Sequence, residues 1–237
     1  MKVCILFIYS DDTIYNGMLQ IQRKYVHKFN NVDSYFIKMD NSQNDDIIKN
    51  DDIISIKGNE TLLNILYKTI KSFELLFENN YDFFVRSNIS TIIDINQLLD
   101  TLEHLPKTNY YGGANIMILQ WVGSGIVDNT YFGTHFTTGI GIILSNDVVK
   151  HFISNKDKID YSIVDDISIS IYLHKNMPEC LDNFIKYRFF MHTLYTNIQD
   201  LNKDSFNKNT IFYRNNTIGN RNADVLIMNH IVNIIYK

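Results

Sequence analysis

The sequence predicts a single α/β domain, a sheet covered by helices on both faces, and three observations carry that prediction. Apolar, β-rich runs alternate with amphipathic helical patterns through the first half of the chain. The 237 residues include 45% hydrophobic and 13% aromatic side chains, ample for a core. Only two prolines occur, and no linker, internal repeat or low-complexity block divides the chain.

Taken in order, Val3–Tyr9 is an apolar run that reads as the first strand. Asp12–Phe29 follows as a helix with Ile14, Met18, Ile21 and Tyr25 on one face. Ser34–Met39 is a second strand, Asn41–Asn50 a polar, turn-like stretch, and Asp52–Ile56 a short third strand. Glu60–Phe77 is the clearest helix, because Leu62, Leu63, Leu66, Ile70, Phe73 and Phe77 recur at helical spacing. Tyr81–Arg86 is a strand, and Asp94 caps a helix reaching Leu105. Alternation of this kind points to a parallel sheet. The second half differs. Tyr110–Gly113 is a turn signal, and "WVGSGIVDNTYFGTHFTTG" (121–139) is a long Gly/Thr-rich, aromatic loop suited to surround a ligand. Ile140–Leu144 is a strand, Ser145 caps a helix to about Ile153, "VDDISISIYLHK" (164–175) is a helix opening on two acids, and Arg221–Tyr236 is a final amphipathic helix.

Composition excludes several classes of function. Net charge is −4 with no stripe of Lys and Arg, which disfavours nucleic acid as a partner. Cys4 and Cys180 are too far apart to read as a disulfide framework, so a reducing compartment is expected. The opening "MKVCILFIYSDD" lacks a small-residue cleavage site and reads as a strand rather than a signal peptide. No segment reaches the ~18 apolar residues of a membrane span. A soluble protein, cytoplasmic or otherwise intracellular, is the expectation. No phosphate loop, zinc-ligand spacing or G-x-S-x-G elbow is present, and Gly139-Ile140-Gly141 does not complete a dinucleotide fingerprint.

Residues Asp51–Leu99 read "DDIISIKGNETLLNILYKTIKSFELLFENNYDFFVRSNISTIIDINQLL". An acidic-apolar strand precedes a helix carrying Lys68-Thr69; a strand ending in Arg86-Ser87-Asn88-Ile89-Ser90 comes next, and then a capped helix. "HFTTGIGIILSNDVV" (135–149) and "VDDISISIYL" (164–173) follow in order. This series resembles the fringe and β-1,3-glycosyltransferase group of nucleotide-sugar transferases, over roughly residues 50–175. There the corresponding segments run "YDYFVRTDDD", "YASGAGYVLSRDVV" and "EDVYVG" or "PDDCTIG".

The resemblance implies a GT-A-type, Rossmann-like mixed sheet flanked by helices, in a single domain over 1–237. A nucleotide-sugar half would lie at about 1–105 and an acceptor and catalytic half at about 106–237. It implies inverting transfer of a sugar from a nucleotide-sugar, expected to be UDP-linked, to a hydroxyl of a glycan or protein acceptor. Asp166, or its neighbour Asp165, would be the base that takes the acceptor proton. Ser10, Lys68, Arg86, Ser87, Asn88, Ser90, Arg214 and Arg221 would surround the nucleotide-sugar. Trp121, His135, Thr138 and Gly139, with Tyr131 and Phe132, would meet the acceptor.

The departure lies at the family's Asp-x-Asp, which aligns with Asn88-Ile89-Ser90; no Asp-x-Asp occurs anywhere in this chain. Those carboxylates hold Mn2+ or Mg2+ on the pyrophosphate in the family. Uncharged Asn88 and Ser90, with His192 where fringe-like enzymes carry a metal-binding histidine, are the remaining ligand candidates, and they would bind a hard cation weakly. The resemblance leaves both a cation-dependent and a cation-free site open.

Plain structural readings stand beside each candidate. Paired acids at a helix start complement its dipole. Lys68, Arg214 and Arg221 suit exposed surface, a lone His among apolar residues is commonly structural, and the aromatics suit packing under a long loop. Arg86 differs, because a cation ending an apolar strand needs an anionic partner. A rival class is a catalytically inactive member of the fold that binds glycan or a protein partner. A third reading, another nucleotide-using α/β class, would be favoured if Arg86 and Asp166 proved far apart.

Overall fold

The computed structural model describes residues 1–186, 192–195, 210–217 and 220–236, with the backbone alone at 185–186 and 192–195. In chain order the elements are β1 (Val3–Ile8), α1 (Thr13–Val26), β2 (Val32–Asp40), β3 (Ile47–Asn50), β4 (Ile53–Lys57) and α2 (Asn64–Leu76). Next come β5 (Phe83–Asn88), β6 (Thr91–Ile93), α3 (Ile95–Glu103), β7 (Tyr111–Gly113), β8 (Ile116–Ile118), β9 (His135–Thr137) and β10 (Gly141–Ser145). The chain closes with α4 (Asn146–Ser154), α5 (Asp165–Asn176), α6 (Glu179–Lys186), β11 (His192–Tyr195), β12 (Phe212–Asn215) and α7 (Arg221–Ile235).

The main sheet has seven strands in the order β3-β4-β2-β1-β5-β10-β7. Its middle, β4-β2-β1-β5, is parallel, as the alternating pattern predicts. Its edges are antiparallel, β3 on one side and β10-β7 on the other, so the sheet is mixed rather than wholly parallel. Because β1 is central, both its faces are covered and its sequence is an unbroken apolar run. Side chains alternate between two cores. Val3, Ile5 and Phe7 pack with Met18, Tyr25, Leu98 and Met228 on the α1/α3/α7 face, whereas Cys4 and Leu6 pack with Ile70, Phe73, Phe152 and Tyr172 on the α2/α4/α5 face. Among the described residues no helix is long and apolar enough to cross a membrane.

Three expectations are corrected by tertiary pairing. The polar stretch 41–50 contains β3, whose Ile47–Asn50 pairs antiparallel with β4 at the sheet edge; Lys49 and Asn50 suit an edge that faces water, while Ile47 packs against the core. Tyr111–Gly113 is a strand beside β10 rather than a turn. Gly113 holds φ at +148°, and a Cβ there would lie 1.9 Å from the Gly141 carbonyl oxygen, so a side chain is excluded by that close approach. Helix α2 begins at Asn64, not Glu60. Leu62 and Leu63 therefore precede the helix and are exposed.

A three-stranded sheet, β11-β12-β6, forms near the end of β5. β12 pairs antiparallel with β6, matching Arg214 to Thr91. The Asn215 backbone N–H donates to the Ser90 carbonyl at 3.0 Å. α7 then packs back on α1, where Tyr236 stacks on Tyr25 with centroids 4.6 Å apart. The Tyr236 hydroxyl donates to the Ile93 carbonyl at 2.6 Å and accepts from the Ile95 N–H at 2.7 Å. These contacts fix the described residues from 210 on against the segment that follows β5.

Candidate active site

The parallel strands β1 and β5 end side by side, with Ile8 in register with Asn88. Polar groups gather at this C-terminal edge, the usual ligand edge of an open α/β sheet. β10 runs the opposite way and pairs Gly141 with Ser87, so Thr138 and Gly139, just before it, reach the same edge. Alternation along β5 puts Phe84, Arg86 and Asn88 on the face of α2 and α5.

Arg86 is only 2% exposed and is met by the equally buried Asp165, with Nη2 to Oδ2 at 2.6 Å. Its Nη1 donates to Asn88 Oδ1 at 3.1 Å and to the Gly139 carbonyl. Gly139 permits that approach, since a Cβ there would lie 2.3 Å from Arg86 Nη1. The sequence requirement that Arg86 have an anionic partner is met inside the protein, by Asp165.

Asp166 stands beside that pair in the first turn of α5. Its Oδ2 accepts from the Gly139 N–H at 3.1 Å and its Oδ1 from the Ile167 N–H at 2.9 Å. Among the described residues it has no ion-pair partner within 4 Å. Burial, then the neighbouring Asp165 charge, raises its pKa to about 6; the Arg86 charge and the two backbone N–H bonds act the other way but do not outweigh them.

Lys68 is fully buried rather than surface-exposed. Its Nζ donates to the Tyr9 carbonyl at 2.9 Å and to Glu60 Oε1 at 2.5 Å. Glu60 Oε2 in turn accepts from the Met39 N–H at 2.9 Å. Burial pulls the Lys68 pKa down, against the opposing pull of Glu60. Lys68 thus ties α2 to the ends of β1 and β2, and it lines neither chamber of the neighbouring cleft.

The cleft consists of two chambers sharing Leu62, Ile65, Asn88 and Arg214. The larger, about 350 Å3, is bounded by Tyr9, Ser10, Tyr15, Glu60, Ser90 and Arg221 among others. The smaller, about 270 Å3, is lined by Arg86, Thr138, Gly139, Asp165 and Asp166. Arg221 is paired with the fully buried Asp224 at 2.5 Å. Arg214 is different. Its Nη1 donates to Ser90 Oγ, and among the described residues no carboxylate lies within ion-pair distance. Burial, then the nearby Arg221, lowers its pKa to about 10, still far above neutral pH.

Arg86 pairs with Asp165, Lys68 with Glu60 and Arg221 with Asp224. Two groups that line the smaller chamber are left without an opposite charge among the described residues: the Arg214 guanidinium and the Asp166 carboxylate. Such an arrangement offers an anion site and a proton acceptor within one cleft.

No protein-family model matches the chain, and no curated protein matches it.

The other candidates divide between the cleft and its surroundings. Ser10, Asn88, Ser90, Arg214 and Arg221 line the larger chamber, and Thr138 and Gly139 the smaller. Ser87 is fully buried and donates to the Ile140 carbonyl at 2.6 Å, which joins β5 to the start of β10. Trp121 is 37% exposed and packs edge-on to Phe136 at 5.9 Å, and Phe132 is exposed at 43%; neither lines the two chambers. Tyr131 accepts from Lys175 Nζ at 3.2 Å. His135 offers its carbonyl to Ser170 Oγ at 2.6 Å, a bond that holds β9 on α5. The His192 side chain lies outside the described residues. Leu62 and Ile65 line both chambers; Leu62, expected on the helix face, is 57% exposed because the helix starts two residues after it.

The Mn2+ or Mg2+ implied by the family resemblance does not fit the donors present. Asn88 Oδ1 accepts from Arg86 and Ser90 Oγ from Arg214, so both candidate oxygens already face guanidinium groups. Among the described residues no three His, Cys, Asp or Glu side chains are grouped to hold an ion.

Proposed function

We propose that this protein is an inverting glycosyltransferase of GT-A type, moving a sugar from a nucleotide-sugar to a hydroxyl of a glycan or protein. The observation that carries the reading is the uncompensated pair in the smaller chamber, Arg214 beside the donor space and Asp166 beside Thr138 and Gly139. The proximity of Arg86 and Asp166 favours it over another nucleotide-using class, because Asp165 bonds the one and adjoins the other.

In this reading the larger chamber takes the nucleotide and the diphosphate lies between Ser90, Arg214 and Arg221. Asp166 accepts the proton of the acceptor hydroxyl. The freed oxygen lone pair forms a bond to the anomeric carbon from the face opposite the leaving group. The bond from that carbon to the phosphate oxygen breaks, and its electron pair leaves with the nucleoside diphosphate. A pKa near 6 leaves Asp166 ionised at neutral pH yet basic enough for the task. Charge gathering on the leaving phosphate meets fixed guanidinium donors.

A panel of nucleotide-sugars, UDP-linked ones first, tests this by saturable binding and by release of nucleoside diphosphate. Binding with measurable donor hydrolysis is the expected result. Binding without turnover in the presence of candidate acceptors supports the inactive, glycan- or protein-binding rival. Absence of binding with and without Mn2+ refutes the reading.

A further inference from the structure

We infer that the cleft binds a nucleoside diphosphate without a divalent cation, the Arg214 guanidinium serving as the counter-charge. This rests on the reading of the cleft as a nucleotide-sugar site.

Both candidate ligand oxygens already have donors. Asn88 Oδ1 lies 3.1 Å from Arg86 Nη1 and accepts from it, and Ser90 Oγ accepts from Arg214. A dication bound to Asn88 Oδ1 at the ordinary oxygen distance would sit on the order of 5 Å from the Arg86 guanidinium, and among the described residues no three His, Cys, Asp or Glu side chains are grouped to hold it there. The same geometry suits an anion. Arg214 is held in place by Ser90, it lines both chambers, and among the described residues it has no carboxylate partner. Leaving a mostly buried guanidinium unpaired is costly, and a bound diphosphate would remove that cost. A guanidinium presents a planar fork of N–H donors to phosphate oxygens, which a hydrated lysine does not. Its position is set by β12 pairing with β6 and by the Asn215 N–H bond to the Ser90 carbonyl, so the donor is fixed before ligand arrives. Such preorganisation is what stabilises charge on a departing phosphate without a metal.

Titration calorimetry of the full chain with UDP, GDP, CDP and TDP in turn, in EDTA and again in Mn2+, tests the inference. One nucleoside diphosphate is expected to bind with a Kd that agrees within about threefold between the two conditions, whereas a required dication would change it by orders of magnitude. Arg214→Ala is expected to weaken that binding about 10- to 100-fold, the range of a lost charge-assisted hydrogen bond. Arg214→Lys is expected to fall between, and circular dichroism checks that both variants are folded. Binding only with Mn2+ overturns the inference and leaves the nucleotide-sugar reading standing; unchanged binding to a folded Arg214→Ala protein overturns the inference and removes Arg214 from the diphosphate site of that reading. Absence of binding by all four nucleotides in both conditions overturns both.

Discussion

Asp166→Asn is expected to lower turnover about 10²- to 10⁴-fold, the range for removing a positioned general base, while the affinity for nucleoside diphosphate stays within about threefold. The wild-type rate should rise with pH through about 6 and then level, because only the ionised carboxylate can take the acceptor proton. The residual rate of the variant should lack that rise. Stability runs the other way. The raised pKa means the folded state holds the Asp166 proton more tightly than the unfolded chain does, so this group's contribution to stability is lost as pH rises from about 4 to about 6. The side chain is partly exposed, which limits the effect to about 1–2 kcal/mol. The amide substitution removes that loss but gives up one of two backbone N–H bonds, at Gly139 or Ile167, costing about 1 kcal/mol. The two nearly cancel at neutral pH, so Tm should stay within ~3 °C of wild type. A large fall in Tm would mean that Asp166 is a structural group, and an unchanged rate would remove it from the mechanism.

The largest expected effect on stability comes from Arg86→Leu. Arg86 and Asp165 are 2% exposed each, and removing one partner leaves the other charge buried and unpaired. That situation costs about 3–5 kcal/mol. At about 2–4 °C per kcal/mol for a chain of this size, Tm should fall by roughly 10 °C. The Gly139 carbonyl and Asn88 Oδ1 would also lose their donor. The double replacement Arg86→Leu with Asp165→Leu should recover a large part of the loss, because no buried charge is left alone. Denaturant unfolding of the three variants measures this. A single variant within about 1 kcal/mol of wild type would show that the pair is not desolvated in solution.

Periodicity exposed much of this molecule in the sequence. The apolar run of β1, the helical spacing of α2 and the cap Asp94 each depend on local chemistry, and each formed where expected to within a few residues. Edges were harder to read. Ile47–Asn50 becomes a strand by pairing with β4, and the polar residues 41–46 before it make the stretch look like a turn in isolation. The start of α2 was misread because Leu62 and Leu63 continue the helical spacing while lying before the helix, with Leu62 lining the cleft instead. Lys68 looked like surface, since nothing local shows that Glu60, eight residues earlier, and the Tyr9 carbonyl will enclose it. Arg86 was the most legible charge, because a cation at the end of a buried strand must find an anion; that the anion would be Asp165 was not legible. The role of Arg214 was least visible. It reaches Ser90 across 124 residues of sequence through β12 pairing with β6, and only that pairing distinguishes it from a loop arginine.

The central claim is that Arg214 and Asp166 bracket the reacting bond of a nucleotide-sugar. A crystal structure of the protein with UDP, or with whichever nucleoside diphosphate binds, tests it most directly. The account predicts the diphosphate in the chamber bounded by Ser10, Ser90 and Arg221, a phosphate oxygen within hydrogen-bond distance of the Arg214 guanidinium, and the terminal phosphate directed toward the chamber of Asp166. A nucleotide bound elsewhere, for example in the cavity of about 510 Å3 between Tyr67 and Tyr161, with Arg214 untouched, would contradict it.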